Sequence, residues 1–260
     1  MKKIWISALS ENQPRVGSVS AHLKPYGLDC VGHFWANAPE KLSWRAALNG
    51  LLEARADVWL ILADDVEFAK PGVRYGLSLM MAALRQAKGA GFPVLILWNS
   101  AAPKAVTLPV LLQSATLVEE ASNAWAAKIV ARANMPPKAV PVDYRLDILG
   151  DERLGQWFEI GPCEGNWNGV VFGVSGEGAG INFQAVGPAG ALPSTATLEF
   201  AQEGLKIEAA GAEFTAWAVR NVVEQQSSYY ARVTGTPDAI LFMPFAEGED
   251  ELGATVLRLT

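Results

Sequence analysis

The uniformly apolar run Val58–Ala63 constrains the fold of this chain more than any other segment. Six consecutive apolar residues leave no polar face, which is typical of a strand that is covered on both sides in a parallel sheet. Further β-like runs at residues 3–8, 28–35 and 93–98 alternate with segments whose apolar residues recur at helical spacing. This alternation predicts a doubly wound parallel sheet, with a fifth strand at residues 114–118.

Four segments are predicted to be helices between and after these strands. They span residues 16–24, 41–56, 71–87 and 119–133. Pro71 suits the first turn of the third helix. Glu119 and Glu120 suit the first turn of the last helix, because acidic side chains interact favourably with the positive end of the helix dipole.

The second half of the chain has a different pattern of short β-like runs separated by glycine-rich turns. One run, residues 195–200, alternates apolar and polar side chains, whereas residues 214–223 fit either a strand or a helical face. Regularly spaced short strands predict an antiparallel sandwich or barrel. The predicted fold class is therefore α/β plus β: a flavodoxin-like, five-stranded, doubly wound parallel sheet followed by a mainly antiparallel β domain.

Composition changes where three prolines, Pro136, Pro137 and Pro141, fall within six residues. The part before this point has an excess of basic residues, and the part after it is strongly acidic and richer in glycine. Clustered prolines stop helices and favour an extended spacer. We predict an α/β domain at residues 1–134, a linker at 135–145 and a β-rich domain at 146–260.

Several classes of function are disfavoured by composition. A net charge of −6 argues against nucleic acid as a partner, and the apolar runs are too short for a membrane helix. The apolar part of the N-terminal segment ends by Glu11, which is too short for a secretion signal and predicts a cytoplasmic protein. Cys30, Cys163 and the two histidines lack metal-ligand spacing, so we expect no metal, and no cofactor is predicted.

Polar and aromatic side chains follow four of the predicted strands. In open α/β sheets, ligands bind beyond the carboxyl ends of the strands, and hydroxyl, amide and flat aromatic groups suit a ribose and a base. Two interpretations of Asp64 and Asp65 remain open, acceptors of ribose hydroxyl groups or a solvated turn. The candidates for binding a nucleotide-like ligand are Ser7, Ser10, His33, Trp35, Asp64, Asp65 and Asn99.

Residues 56–65, the acidic loop at 66–72 and the alanine-rich segment 73–83 resemble part of a TIR (Toll/interleukin-1 receptor-like) domain. TIR domains have a strand, a loop and a Trp-x-x-x-Glu-Leu helix at this place. Nucleoside deoxyribosyltransferase-like proteins have a similar layout with a Gly-Thr-x-x-Glu-x-Gly motif. The resemblance covers residues 3–134 and does not extend to the C-terminal half.

The same resemblance implies that a catalytic glutamate is missing. Both families use a glutamate at the start of this helix. In TIR NAD hydrolases it contacts the nicotinamide ribose, and in the transferases it is the nucleophile that attacks the sugar. Alignment with either family places Gly76 at this position. Glycine has no carboxylate for this chemistry. A glycine inside a helix indicates close packing or a ligand that approaches the backbone, so Gly76 joins the ligand-binding candidates. Glu67 is the candidate for a substitute catalytic carboxylate, with Asp65 as the alternative.

Three hypotheses about function follow. The first is a non-catalytic, TIR-like signalling or interaction protein that binds a nucleotide-like ligand, binds a protein partner or self-associates. The second is an enzyme that cleaves an N-glycosidic bond of NAD or a nucleoside through a substitute carboxylate. The third is a carbohydrate- or protein-binding β-sandwich that contacts its ligand through Trp157, Trp167 and Trp217.

Overall fold

The computed structural model describes residues 1–99, 107–137, 140–245 and 253–260. These residues form two units, an N-terminal unit, Met1–Val140, and a C-terminal unit, Pro141–Thr260. The division falls inside the segment 135–145 that the sequence predicts as a linker. Lys138 and Ala139 of that segment lie outside the described residues.

In the described part of the N-terminal unit, five strands form one sheet, and every neighbouring pair of strands is parallel. The strands are β1 (Lys2–Ala8), β2 (Leu28–Phe34), β3 (Val58–Ala63), β4 (Val94–Trp98) and β5 (Thr116–Glu119). Their order is β2-β1-β3-β4-β5, which is that of flavodoxin-like sheets. The predicted fold class of this half is confirmed.

Helices cover both faces of this sheet. They are α1 (Gln13–Leu23), α2 (Trp44–Glu53), α3 (Asp65–Phe68), α4 (Pro71–Lys88) and α5 (Trp125–Asn134), with 3-10 turns at Lys24–Tyr26, Pro39–Lys41 and Val110–Leu112. Val19 of α1 and Ile129 of α5 belong to one apolar cluster with Leu60 of β3. On the opposite face, α2 lies so close that a Cβ on Gly50 would be 2.4 Å from Cη2 of Trp5. In the part of the chain that is described, no helix is long and apolar enough to span a membrane.

The predicted start of the last helix is wrong. Glu119 pairs with Trp98 as the last residue of β5, and α5 begins only at Trp125. Hydrogen bonding to β4 therefore keeps Glu119 in a strand, although Glu119 and Glu120 had predicted a helix start there. The favourable interaction of acidic side chains with a helix N-terminus amounts to about 0.3–1 kcal/mol, and strand pairing outweighs it here.

The described residues of the C-terminal unit form antiparallel strands, as predicted. The strands are β6 (Tyr144–Asp151), β7 (Gly155–Pro162), β8 (Asn166–Trp167), β9 (Val170–Ser175), β10 (Gly180–Pro188), β11 (Gln202–Ala209), β12 (Ala212–Val219), β13 (Val223–Glu224), β14 (Ser227–Thr234), β15 (Ala239–Pro244) and β16 (Thr255–Arg258). Among these residues, four strands form a sheet of order β10-β14-β7-β6, five form a sheet of order β11-β12-β9-β15-β16, and β13 pairs with β8.

Aromatic side chains join the two larger sheets in the core of this unit. Phe172 of β9 has its ring centroid 5.7 Å from that of Phe158 in β7 and 6.2 Å from that of Tyr229 in β14. At another point, Tyr144 of β6 meets Phe242 of β15 edge to face, at 4.8 Å. The two sheets thus pack face to face as a sandwich.

The structure corrects one sequence-based prediction in this unit and decides between two alternatives for another segment. The run 195–200 is not a strand, because Phe200 has φ 48° and is 76% exposed, and an extended strand does not tolerate that backbone. The ambiguous run 214–223 is mostly strand β12, in which buried Phe214, Ala216 and Ala218 alternate with less buried neighbours. An alternation of two residues per repeat is the strand pattern.

Candidate functional site

The carboxyl ends of the parallel strands meet at one edge, as the sequence predicts. The backbone N–H of Leu9 donates to Leu62 at 3.0 Å, and that of Trp35 donates to Ala8 at 2.8 Å. The N–H of Asn99 donates to the carbonyl of Ala63 at 3.1 Å. These bonds place the segments after β1, β2, β3 and β4 side by side. Ser10 there is half-buried and Asn99 is exposed.

Ser7 and His33 form a hydrogen-bonded pair beneath this edge. Oγ of Ser7 lies 2.9 Å from Nε2 of His33, and Nε1 of Trp59 donates to the same Oγ at 3.0 Å. Because an indole N–H only donates, the Ser7 hydroxyl oxygen accepts from Trp59, and either its hydrogen or its second lone pair makes the hydrogen bond with Nε2 of His33. Burial lowers the pKa of His33, which favours the neutral imidazole. Ser7 itself is fully buried, so it supports the site from below.

The side chain of Trp35 fills the space beside Gly76. Trp35 is only 8% exposed, and a Cβ on Gly76 would lie 2.9 Å from its Cζ2. One turn earlier, a Cβ on Gly72 would lie 2.5 Å from Oδ1 of Asn37. The segment after β2 therefore packs into a groove that the two glycines leave in α4. Of the two explanations for Gly76 that the sequence offers, close packing describes this geometry.

The three carboxylates that follow β3, those of Asp64, Asp65 and Glu67, each have a partner in the same unit. Asp64 caps α3, because its Oδ1 accepts the backbone N–H of Glu67 at 2.8 Å. Asp65 accepts the indole N–H of buried Trp98 at 2.5 Å. Glu67 pairs with Lys70 at 2.7 Å. The solvated turn considered for Asp64 and Asp65 is thus a capped helical turn with specific hydrogen bonds.

Arg15 is a residue at this edge that the sequence analysis did not identify. Its Nε donates to Oε2 of Glu120 at 2.9 Å, its Nη1 to the carbonyl of Ala63 at 3.2 Å and its Nη2 to the carbonyl of Leu97 at 3.0 Å. The guanidinium therefore bridges the ends of β3 and β4. The sequence did contain an indication of this role. Arg15 lies in the first turn of α1, where a positive side chain interacts unfavourably with the helix dipole unless another group compensates its charge.

The free cysteines have protonated thiols. Cys30 is half-buried, and burial raises its pKa to about 11. Burial also raises the pKa of Cys163. In the described residues, no group of three His, Cys, Asp or Glu side chains is arranged to hold a metal ion.

The three tryptophans proposed as sugar contacts lie in three different sheets of the C-terminal unit. Trp157 belongs to β7, Trp167 to β8 and Trp217 to β12, and all three are half-buried. Trp157 packs edge to face on Phe183 at 5.6 Å, and Arg232 lies 5.9 Å from the centre of its ring. The fold does not combine these tryptophans into one sheet face.

A buried polar network in the C-terminal unit was also missed. Glu159 is 3% exposed, and its Oε1 accepts from Oγ of Ser228 and from the N–H of Gly190, both at 2.8 Å. Arg145 donates to the same Ser228 Oγ at 3.1 Å. Burial raises the pKa of neighbouring Tyr230 to about 12, helped by the negative charge of Glu159. The network anchors the backbone that follows β10.

No protein-family model matches the chain, and a comparison with curated proteins gave no significant match. The arrangement of strands and helices defines the N-terminal unit as a flavodoxin-like α/β domain.

Proposed function

We propose that this chain is a non-catalytic interaction protein whose N-terminal unit is TIR-like. The observation that carries the proposal is the contact between Trp35 and Gly76. At the position where the resemblance implies a catalytic glutamate, helix α4 has a glycine, and the space for a larger side chain holds an indole ring. A lack of room for a carboxylate at this position supports a non-catalytic role for the unit.

The remaining carboxylates at this edge support the same proposal. Cleavage of an N-glycosidic bond needs a carboxylate that is aimed at the sugar and free to change its interactions. Asp64 holds the start of α3, Asp65 holds Trp98, and Glu67 is paired with Lys70. Each of these contacts would have to break before the carboxylate reached a ribose.

A protein partner is favoured over a nucleotide-like ligand by the edge strands of the sheet. Val31 and Phe34 of β2 and Leu117 of β5 are large apolar residues that are 37%, 36% and 41% exposed. Apolar side chains on sheet edges suit contact with another polypeptide. At the strand ends, in contrast, the N–H groups of Arg15 donate to Glu120 and to the backbone carbonyl groups of Ala63 and Leu97. These donors are therefore already used within the protein and do not face a phosphate group.

The test is an assay of NAD and nucleoside cleavage by the wild-type protein, with Glu67→Gln as the matched variant. We expect cleavage at background level in both proteins, because a positioned acid–base group contributes on the order of 10²–10⁴-fold. Cleavage by the wild type that is lost in Glu67→Gln would establish the enzyme hypothesis instead. Cleavage that survives in Glu67→Gln would place a catalytic site elsewhere and also overturn the proposal.

A thermal-shift measurement with NAD and nucleoside monophosphates separates the two kinds of binding partner. We expect no rise in the unfolding temperature. Stabilisation that is lost when Asp64 and Asp65 are replaced by asparagine would show a nucleotide site at the strand ends.

A further inference from the structure

The chain contains two Asn-Gly pairs, Asn49-Gly50 and Asn168-Gly169, and the fold places them in different surroundings. Both asparagines are exposed. Asn49 lies inside helix α2, whereas Asn168 lies in the bend between strands β8 and β9. The side-chain amide of an asparagine can be displaced by the next backbone nitrogen, most readily before glycine, which has no Cβ to obstruct the approach and leaves the backbone free to bend. The local backbone therefore decides which pair reacts.

Helix α2 restrains the first pair. Inside a helix each N–H is held by the carbonyl group four residues earlier, and this applies to the nitrogen of Gly50. The helix is also packed closely on β1 at this point, because a Cβ on Gly50 would lie 2.4 Å from Cη2 of Trp5. The Gly50 nitrogen can reach the side chain of Asn49 only after the helix opens locally, which costs free energy.

The bend at the second pair differs in both the side chain and the backbone. Oδ1 of Asn168 accepts a long hydrogen bond, 3.4 Å, from Nδ2 of Asn166 on the surface. Among the described residues, the backbone N–H of Gly169 donates to no acceptor. The glycine itself is required by packing, because its φ is 125° and a Cβ would lie 2.6 Å from Cβ of Phe245 and 2.6 Å from the carbonyl oxygen of Val219. The fold therefore keeps a reactive pair at this place.

We propose that Asn168 is a site of spontaneous deamidation in the folded protein. The backbone nitrogen of Gly169 loses its proton to solvent and bonds to Cγ of Asn168. The bond from Cγ to the side-chain nitrogen then breaks, and this nitrogen leaves as ammonia with a proton from solvent. Water opens the resulting cyclic imide at either carbonyl carbon and leaves aspartate or isoaspartate. In sum, one amide and one water give one carboxylate and one ammonium ion, with no oxidation or reduction.

The isoaspartate product should disturb the β-sandwich more than the aspartate product. In isoaspartate the main chain runs through the former side chain, so the connection between β8 and β9 is one methylene longer. The carbonyl of Gly169 accepts the N–H of Phe245 at 2.9 Å, and the next residue, Val170, begins β9 between β12 and β15. The added length acts on this junction, whereas aspartate only places a negative charge on an exposed side chain.

Peptide mapping by mass spectrometry, after incubation of the folded full chain at mildly alkaline pH, tests the site. We expect deamidation at Asn168, at a rate that rises with pH because the attacking nitrogen must lose its proton. Deamidation at Asn49 should be slower by about tenfold or more, because the helix must open first. The denatured chain, in which both pairs are unrestrained, gives the reference rates.

The matched variant for this experiment is Asn168→Gln, which keeps the amide but needs a larger ring. We expect no modification at position 168 in this variant. An unmodified Asn168 in the folded wild type, or equal rates at Asn168 and Asn49 in it, would overturn the inference.

Thermal unfolding of the aged protein tests the effect on the sandwich. We expect the isoaspartate-containing fraction, separated by chromatography, to unfold at a lower temperature than fresh protein. Asn168→Asp and Asn168→Gln, which keep the length of the main chain, should unfold at the temperature of fresh protein. An unchanged unfolding temperature of the isoaspartate fraction would overturn the proposed effect on the junction. The site lies in the C-terminal unit, so these results do not bear on the function proposed for the N-terminal unit.

Discussion

Arg15 and Glu120, which are 105 residues apart in sequence, form an ion pair with 2.9 Å between Nε and Oε2. The pair joins the first turn of α1 to the residue after β5. The same guanidinium donates to the ends of β3 and β4. Three separate segments of the N-terminal unit therefore depend on one side chain that is only 10% exposed.

We expect Arg15→Met to destabilise the protein. The substitution keeps the length of the side chain but leaves a carboxylate and two carbonyl oxygens without this donor, at a cost of about 1–3 kcal/mol in the free energy of unfolding. Denaturant unfolding measures the change. The control is Lys70→Met, which breaks the exposed pair with Glu67 and should change stability by no more than about 0.5 kcal/mol. Similar values for both variants would show that Arg15 is not a structural bridge.

Gly76→Ala should lower the unfolding temperature, although alanine is the better helix former. The new Cβ would lie 2.9 Å from Cζ2 of Trp35, and the nearly buried ring has little space to move. Gly17→Ala in α1 is the matched control, because its Cβ would have no neighbour within 4 Å. That substitution should stabilise the protein by about 0.5–1 kcal/mol. A gain in both variants would contradict the packing explanation for Gly76.

Asp65→Ala should cost about 1–3 kcal/mol in the free energy of unfolding, because it leaves the buried indole N–H of Trp98 without its acceptor. Asp65→Asn keeps an oxygen at the same position and should recover most of the loss. Glu67→Ala, which removes an exposed ion pair, serves as the control and should have little effect. Equal stability of Asp65→Ala and Asp65→Asn would mean that the hydrogen bond contributes nothing.

The pH dependence of stability should report on His33. Burial lowers the pKa of His33 from its ordinary value of 6.5, so the unfolded chain takes up a proton more readily than the folded one. Neutral His33 therefore contributes its full share of the free energy of unfolding above pH 6.5, the ordinary pKa of histidine. This contribution decreases as the pH falls below 6.5 towards the lower pKa of the folded state. We expect His33→Gln to lose less stability than the wild type between about pH 8 and pH 5.

A control for this measurement is His22→Gln, which replaces an exposed histidine and should retain the wild-type decline. If His33→Gln declines as steeply as the wild type, carboxylates rather than His33 dominate this pH range.

Strands with strong apolar patterns were predictable to within a residue or two. Val58–Ala63 is a strand with every residue buried, because a parallel strand with helices on both faces must be apolar throughout. Local signals failed where a distant partner decided the outcome. Glu119 extends β5 because it pairs with Trp98, and no property of residues 119–133 indicates this.

The candidate site shows the same division. Ser7, His33 and Asp65 were identified because strand ends meet at one edge, which follows from the alternation of strands and helices. Their partners were not predictable. The hydrogen bond of Asp65 to Trp98 and the bridge made by Arg15 join residues that the chain brings together only after β3, β4 and β5 align.

The sequence by itself determined the α/β and β halves, because apolar periodicity and turn residues act over a few neighbouring residues. It also determined that residue 76 carries no carboxylate. Only the tertiary structure decided that Trp35 occupies the space beside Gly76 and that Asp64, Asp65 and Glu67 are held by contacts within the chain. The physical reason is that packing and hydrogen bonding depend on distances of a few ångströms between segments far apart in the chain, and local pattern does not encode such distances.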